Sequence, residues 1–352
     1  MRKIVIGLSG GVDSAVAAGL LQKEYEVIGV TLQMQGDSLD TQGNAEADIA
    51  DARKICERLG IEHHIIDCTG TFDKEVKDYF ADAYLKGITP NPCTRCNRFV
   101  KCMALMKYAD EIGAECYATG HYAYADRLKN GRYALRSADS DKDQAYALYM
   151  LSQEQLSRLV MPLGRYSKDR IREMARDMGL EVSGKPDSME ICFVPDQDYA
   201  GFIERHTGIT KPEGDFVSPD GKVLGKHKGI THYTVGQRKG LGIAFGEPKF
   251  VKEIKADTDQ VVLSDNEELF TDRIVCDEVN FMGISEQEAL SGFSAIGKIR
   301  YSHKGEKCSI IGYADGKMII EFENPVRAAT PGQAVVLYDV EGHVMCGGTI
   351  IR

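Results

Sequence analysis

The run Ser9-Gly10-Gly11-Val12-Asp13-Ser14 combines residue types that suit a phosphate group. Adjacent glycines let a chain turn sharply and bring backbone N–H groups close to an anion, and a helix starting there adds its positive end. Ser9 and Ser14 supply hydroxyl donors, and Asp13 can hold a Mg2+ ion shared with phosphates. The run lacks the lysine of a Gly-x4-Gly-Lys-Ser/Thr loop and does not read Gly-x-Gly-x-x-Gly, so neither a motor-type NTPase nor a dinucleotide binder is favoured.

Two further groups carry sulfur. Pro90-Asn91-Pro92-Cys93-Thr94-Arg95-Cys96-Asn97-Arg98 sets a C-x-x-C behind two prolines, at the start of a helix. A helix N-terminus with Arg95 and Arg98 nearby is expected to lower a thiol pKa from its free value of about 8.5. By itself the motif can equally be half of a zinc site or a redox pair, although the second C-x-x-C of a four-cysteine ribbon is missing. Cys192 follows the polar stretch Ser183 to Ile191, which contains Lys185 and Asp187. Cys56, Cys68, Cys102, Cys116, Cys276, Cys308 and Cys346 read as small buried hydrophobes.

The elements that must position these groups follow from hydrophobic spacing. Residues 3–8 are a short apolar run, and Val12 to Lys23 has helical periodicity, giving strand, turn and helix. Glu26 to Leu32 reads as a buried strand, Ala45 to Leu59 as an amphipathic helix and His64 to Ile66 as a third strand. Helices are expected over Phe72 to Lys86 and Phe99 to Ile112, and a strand over Glu115 to Thr119. This alternation implies a doubly wound parallel sheet in an α/β domain. Met34, just past the second strand, and Gly120, after a later one, fall at the carboxyl ends where ligands of such sheets bind.

Beyond about residue 205 the sequence turns glycine-rich and β-prone. The runs KIRYSH, CSIIGYA, KMIIEFE and AVVLYDV, separated by turn residues, suggest a C-terminal β-barrel. We therefore expect an α/β domain over 1–204, a small β-rich central domain over 205–275 and a β-barrel over 276–352, the last boundary resting on a helix-poor interruption around Met282 to Gly292.

The composition of the 352 residues, 43% hydrophobic and 27% charged, is that of a globular protein. Neither a secretion signal nor a membrane span is expected, and ten cysteines in such a chain read as reduced thiols of a cytoplasmic protein. The net charge of −10 opposes a uniformly basic nucleic-acid-coating surface but leaves room for local basic patches. Such patches occur at Arg165, Lys168, Arg170, Arg172 and Arg176, at Lys222, Lys226, His227 and Lys228, and at Lys298, Arg300, His303, Lys304 and Lys307.

The Ser9 to Ser14 run resembles the pyrophosphatase-type loop, or PP-loop, of enzymes that cleave ATP between its α- and β-phosphates and form an adenylate on a carbonyl oxygen. The ordered strings GLSGGVDS, TPNPCTRCNR, ATGHYA, DKDQAYAL, SMEICF, THYTVGQRKGLGI, KIRY and AVVLYD together resemble the bacterial tRNA-specific 2-thiouridylase family, MnmA, over nearly the whole chain.

That resemblance implies ATP-dependent sulfur transfer to C2 of the wobble uridine of tRNAs for Lys, Glu and Gln. It implies an ATP site at Gly7, Leu8, Ser9, Gly10, Gly11, Val12, Asp13, Ser14, Met34 and Gly120. Cys192 would carry a persulfide delivered by a cysteine desulfurase or relay protein, and Cys96 would be the nucleophile that pairs with it in a disulfide. Asn91, Pro92 and Cys93 would touch the target base, while Lys142, Asp143, Gln144, Arg300 and Tyr301 would touch tRNA. Many family members carry Asn-Pro-Asp where this chain has Asn91-Pro92-Cys93, so the usual acidic group is absent. The third thiol opens an alternative in which Cys93, Cys96 and Cys192 hold a [4Fe-4S] cluster with one open iron. Competing readings are an ammonia-dependent PP-loop ligase and a non-catalytic tRNA-binding protein.

Overall fold

The computed structural model describes residues 1–35, 44–184, 191–243 and 246–351, so Lys185 and Asp187 lie outside the described residues. Two compact units emerge, neither continuous in sequence. The first comprises Met1–Val76, Cys93–Met189 and Glu341–Met345; the second comprises Lys77–Pro92, Glu190–Val340 and Cys346–Arg352.

The first unit opens with strand β1 (Arg2–Gly7), helix α1 (Val12–Leu21), strand β2 (Tyr25–Gln33), helix α2 (Asn44–Leu59) and strand β3 (Glu62–Asp67). It continues through a helix over residues 92–111 (α3), strands β4 (Cys116–Ala118), β5 (Ala123–Arg127) and β6 (Tyr133–Ser137), helix α4 (Gln153–Arg158), strand β7 (Leu159–Val160) and helix α5 (Lys168–Asp177). The parallel sheet has the order β3-β2-β1-β4-β7, which places β1 at its centre. Period-two alternation gives β1 two buried faces. Ile4 and Ile6 pack with Val16, Ile55 and Ile171, whereas Gly7 faces Leu105 of α3 on the other side. Helices on both faces make this the expected doubly wound α/β sheet.

Helix α3 starts at Pro92, seven residues before the expected Phe99, because proline suits a first helical position where its missing N–H is not needed. It widens into π-type turns over Cys96–Cys102. Such turns displace backbone carbonyls, and the buried Gln155 of α4 supplies a partner: its Nε2 donates to the carbonyl of Arg98 at 2.8 Å. Ser152 and Gln155 close a reciprocal capping box at the start of α4. The expected helix over Phe72 to Lys86 is a helical run over residues 69–85, also widened in its middle at Asp73–Asp78.

The short segment Glu341–Met345 completes the first unit beside the β5–β6 hairpin. Ser137 N–H donates to the carbonyl of Gly342 at 3.0 Å, Arg136 bridges His343, and His343 Nε2 lies 3.5 Å from Asp126 Oδ2.

The second unit contains helix α6 (Tyr199–Thr207) and a four-stranded sheet of β8 (Gly214–Val217), β9 (Val223–His227), β10 (Phe250–Lys255) and β11 (Gln260–Ser264) in the order β10-β11-β8-β9. Phe216, Ile230, Tyr233, Val251, Val261 and Leu263 form its core. A closed six-stranded barrel follows, from β12 (Phe270–Phe281), β13 (Ser294–Lys298), β14 (Glu306–Ala314), β15 (Lys317–Arg327), β16 (Ala334–Tyr338) and β17 (Val344–Ile350). Closure leaves no unpaired sheet edge.

Three expectations need correction. The boundary at 204/205 falls inside α6, and that at 275/276 falls inside β12, so the turn before the barrel is Asn266–Leu269 rather than the Met282 to Gly292 interruption. KIRYSH is not a strand: β13 ends at Lys298, Arg300 Nη1 donates to the carbonyl of Arg327, and Tyr301 stands 53% exposed in a turn. Its alternation reflects turn residues facing different neighbours rather than a pleat.

Candidate functional site

The Gly7 to Ser14 loop leaves the carboxyl end of β1, and each residue has a physical reason for its type. Leu8 is buried and its N–H donates to the carbonyl of Val30 on β2 at 2.7 Å. Gly10 has φ +69°, and a Cβ there would stand 2.6 Å from the backbone oxygen of Asp48. Gly11 is the N-cap of α1 and contributes no side-chain cap, which leaves the first N–H groups of the helix available to an anion. Val12 is core. Ser14 Oγ donates to the carbonyl of Gly11 at 3.2 Å and accepts from Ser9 N–H at 3.2 Å, with Ser9 Oγ 3.3 Å away, so this hydroxyl laces the turn together.

Gly120, beyond β4, lies against the loop so closely that a Cβ would be 2.7 Å from Ser14 N and 2.9 Å from Ser14 Cα. Asp13 is gripped from two sides. Tyr122 OH donates to Oδ1 at 2.6 Å, and Lys168 Nζ, on the first residue of α5, donates to both carboxylate oxygens at 2.8 Å. The Lys168 side chain is only 13% exposed. Neither partner was anticipated. Lys168 read as one member of a basic surface cluster, but a phosphate loop with no lysine of its own needs a cation from elsewhere in the chain, and that was the available signal.

His121, next to Gly120, accepts or donates at Nδ1 with Thr119 Oγ1 at 2.9 Å. Burial, assisted by the charge of Lys101, pushes its pKa down to about 3, so the imidazole is neutral at ordinary pH.

The cysteine helix reaches the same end of the sheet. Cys96 is 6% exposed and its Sγ lies 3.8 Å from the sulfur of Met34, just past β2. The structure thus joins Met34 to the nucleophile candidate and Gly120 to the loop. Cys93, one helical turn earlier, is exposed. Arg95, expected near these thiols, is directed at Glu75, donating to its carbonyl at 3.1 Å and its carboxylate at 3.2 Å.

The side chains of Asp143 and Gln144 organise their own loop. Asp143 Oδ1 accepts from Ala138 and Ala145 N–H at 3.0 and 3.1 Å, and Gln144 Oε1 accepts from Tyr122 N–H at 2.9 Å. Lys142 beside them is partly buried. Asn91, Pro92, Cys192, Arg300 and Tyr301 belong to the second unit. There Cys192 is exposed, on a loop held by its neighbour Phe193, whose ring meets Phe80 edge-on at 5.3 Å and Phe202 at 5.0 Å.

Cys56, Cys68, Cys102, Cys276, Cys308 and Cys346 are buried, as expected, and burial raises every one of their pKa values; Cys116 is half-buried and also raised. Such thiols stay protonated and unreactive. His227, in the second basic cluster, is a core residue bonded to the Asp259 carbonyl at 3.0 Å. Among the described residues, no helix is long and apolar enough to cross a membrane.

Three family models match in succession: a tRNA methyl transferase HUP domain over residues 2–196, a tRNA methyl transferase PRC-barrel domain over 200–265 and an aminomethyltransferase beta-barrel domain over 271–351. The chain is 50% identical over 361 aligned residues to the tRNA-specific 2-thiouridylase MnmA of Lachnoclostridium phytofermentans, covering 100% of both chains. It is 46% identical to the MnmA of Clostridium acetobutylicum, covering 100% of this chain and 99% of that one, and 45% identical to the MnmA of Clostridioides difficile, covering 100% and 98%. With these full-length matches, this chain, with its uncapped glycine turn and its C-x-x-C helix, belongs to the tRNA-specific 2-thiouridylase family, MnmA, whose members are ATP-using tRNA sulfurtransferases.

Proposed function

We propose that this enzyme thiolates C2 of the wobble uridine in tRNAs for Lys, Glu and Gln. ATP, held by Gly7 to Ser14, Met34 and Gly120, transfers AMP to uridine O2 and pyrophosphate leaves. Oxygen at C2, a poor leaving group, becomes a good one as AMP. The terminal sulfur of a Cys192 persulfide attacks C2 and expels AMP. The Cys96 thiolate then attacks Cys192 Sγ, forming a disulfide and leaving the outer sulfur on C2; a thiol reductant must reopen that disulfide before the next cycle. The observation that carries this reading is the meeting of an uncapped phosphate loop and the Cys96 thiol at one end of one sheet.

Asn91 to Cys93 would receive the target base, splayed from the anticodon loop. Lys142 to Gln144, Arg300 and Tyr301 would meet the tRNA, Lys142 and Tyr301 by direct contact, and Asp143 and Gln144 through the loop they shape. The sulfur arrives from a cysteine desulfurase or relay protein in the cytoplasm. Asp13 suits Mg2+, since its carboxylate oxygens already face a cation, and the metal would screen the phosphate charge. The working division is an ATP domain, a small central domain and a barrel that contributes tRNA surface.

Incubation with ATP, L-cysteine, a cysteine desulfurase, a thiol reductant and unmodified tRNA, read by mass spectrometry, tests substrate and reaction together: 2-thiouridine and AMP are expected, and tRNA bound without either product would overturn the proposal. Cys96→Ser and Cys192→Ser should each abolish thiolation, whereas the core substitution Cys308→Ser should not.

A second reading is favoured by Cys93, an exposed thiol on the same helix as Cys96 at a spacing of one turn. These two with Cys192 supply three thiolates of the kind a [4Fe-4S] cluster needs, and a bound cluster would offer one iron to sulfur. Anaerobic reconstitution followed by absorbance at about 400 nm separates the readings. No band with full activity in iron-free protein would eliminate the cluster.

A further inference from the structure

We propose that Lys168 is the travelling cation of the nucleotide site: it holds Asp13 before ATP arrives and moves onto the β- and γ-phosphates when ATP binds. The proposal rests on the reading of the loop as an ATP site and adds a phosphate ligand to it.

Four observations support it. First, the loop from Gly7 to Ser14 contains no basic residue, so the phosphate charge must be met by N–H groups and a cation from elsewhere. Second, Lys168 Nζ reaches across 155 positions of sequence to place its ammonium 2.8 Å from both oxygens of Asp13, beside the uncapped start of α1. Third, the contact is largely screened from solvent, with Lys168 13% and Asp13 31% exposed, unlike the surface pairs of the same helix such as Arg170 with Glu173 at 54% and 50%. Fourth, Tyr122 OH secures Asp13 Oδ1 independently at 2.6 Å, so the carboxylate keeps its orientation after the ammonium departs.

The backbone of Lys168 is fixed by its helix, and its ammonium is joined to that backbone by a chain of rotatable methylenes. Ser167 caps α5 by accepting from Arg170 N–H, and Ile171 and Ala175 bury the helix against Val16 and Ala15 of α1. A four-carbon stem on a fixed Cα lets a compact ammonium swing between two anions without moving the fold. Divalent metal, when present, would take the place at Asp13 that Lys168 vacates.

Affinities for ATP, pyrophosphate and AMP, measured by calorimetry on the full chain in EDTA-containing buffer, test this. Lys168→Met should weaken ATP and pyrophosphate by about tenfold or more, because a charge-assisted contact to phosphate is lost, and leave AMP within about twofold. Lys168→Arg should recover part of the loss. Because Lys168→Met leaves Asp13 unbalanced, Asp13→Asn with Lys168→Met serves as a second variant and should show the same selective loss. Unchanged ATP affinity in either variant, or equal weakening of ATP and AMP, would overturn the proposal. Wild-type protein that binds none of the three probes would overturn the ATP reading, and this proposal with it.

Discussion

Gly120→Ala drives a methyl group against the backbone of the nucleotide loop. The added Cβ would stand 2.7 Å from Ser14 N, 2.9 Å from Ser14 Cα and 3.0 Å from the Asp13 carbonyl carbon, all atoms of the first turn of α1. Ordinary contact begins at 3.4 Å, so the turn must retreat by about 0.7 Å at its tightest point. No side chain can yield in its place. Overpacking of this kind typically costs about 1–3 kcal/mol. If that strain is relieved by withdrawing the loop, its N–H groups lose their aim, and ATP affinity should fall by about 5- to 140-fold, the same energy read as binding. Gly70→Ala is the matched control: a helical glycine with nothing within 4 Å of the added methyl, it should be neutral or stabilising by about 0.4–1 kcal/mol. Urea titration and ATP titration of both variants give the comparison. Gly120→Ala with wild-type stability and wild-type ATP affinity would refute the close-approach argument.

Other outcomes follow from the same geometry. Gln155→Ala deprives the Arg98 carbonyl of its partner and opens the α4 capping box, and should cost about 2–4 kcal/mol in urea unfolding, more than an exposed cap would. His121 has a folded pKa of about 3, below its unfolded value, so the unfolded chain takes up its proton first as pH falls. Stability should therefore decline by up to about 1.4 kcal/mol per pH unit from this group between roughly pH 6.5 and 3, and His121→Asn should flatten that slope relative to wild type. Iodoacetamide at mildly alkaline pH should label Cys93 and Cys192 ahead of Cys102, Cys276 and Cys346, which are buried with raised pKa values; peptide mapping that found the core thiols first would contradict the assignment.

The centre of the parallel sheet was legible because β1 and β2 are buried on two faces and read as unbroken apolar runs, and these strands and the more exposed edge strand β3 lie within a residue or two of where the sequence pattern put them. Strand β7 has two residues and escapes any periodic test. The start of α3 at Pro92 was legible from the two prolines before the C-x-x-C, although the apolar spacing alone began only at Phe99; the π-type turns and the Gln155 bond to the Arg98 carbonyl were not, because Gln155 is distant in sequence. KIRYSH misled because alternation also arises in a turn. At the site, the glycine turn and both cysteine motifs could be singled out by residue type and spacing. Lys168 and Tyr122 could not, since what marks them is an approach to Asp13 that only the folded chain creates. Asp143 and Gln144 were singled out by the family resemblance alone; that Asp143 Oδ1 and Gln144 Oε1 accept from backbone N–H groups and so shape their own loop is visible only in the folded chain.

The piece Glu341–Met345 that completes the first unit bears on how the molecule comes into being on the ribosome. The β5–β6 hairpin receives the Gly342 carbonyl and the His343 imidazole from residues made about two hundred positions later. The nucleotide-binding sheet can assemble early from local βαβ units, but this hairpin waits for nearly the entire barrel to be synthesised before it acquires its last neighbours. Completion of the first unit is thereby tied to synthesis of the barrel, and a nascent chain halted between β16 and β17 would present a formed sheet with an unfinished flank.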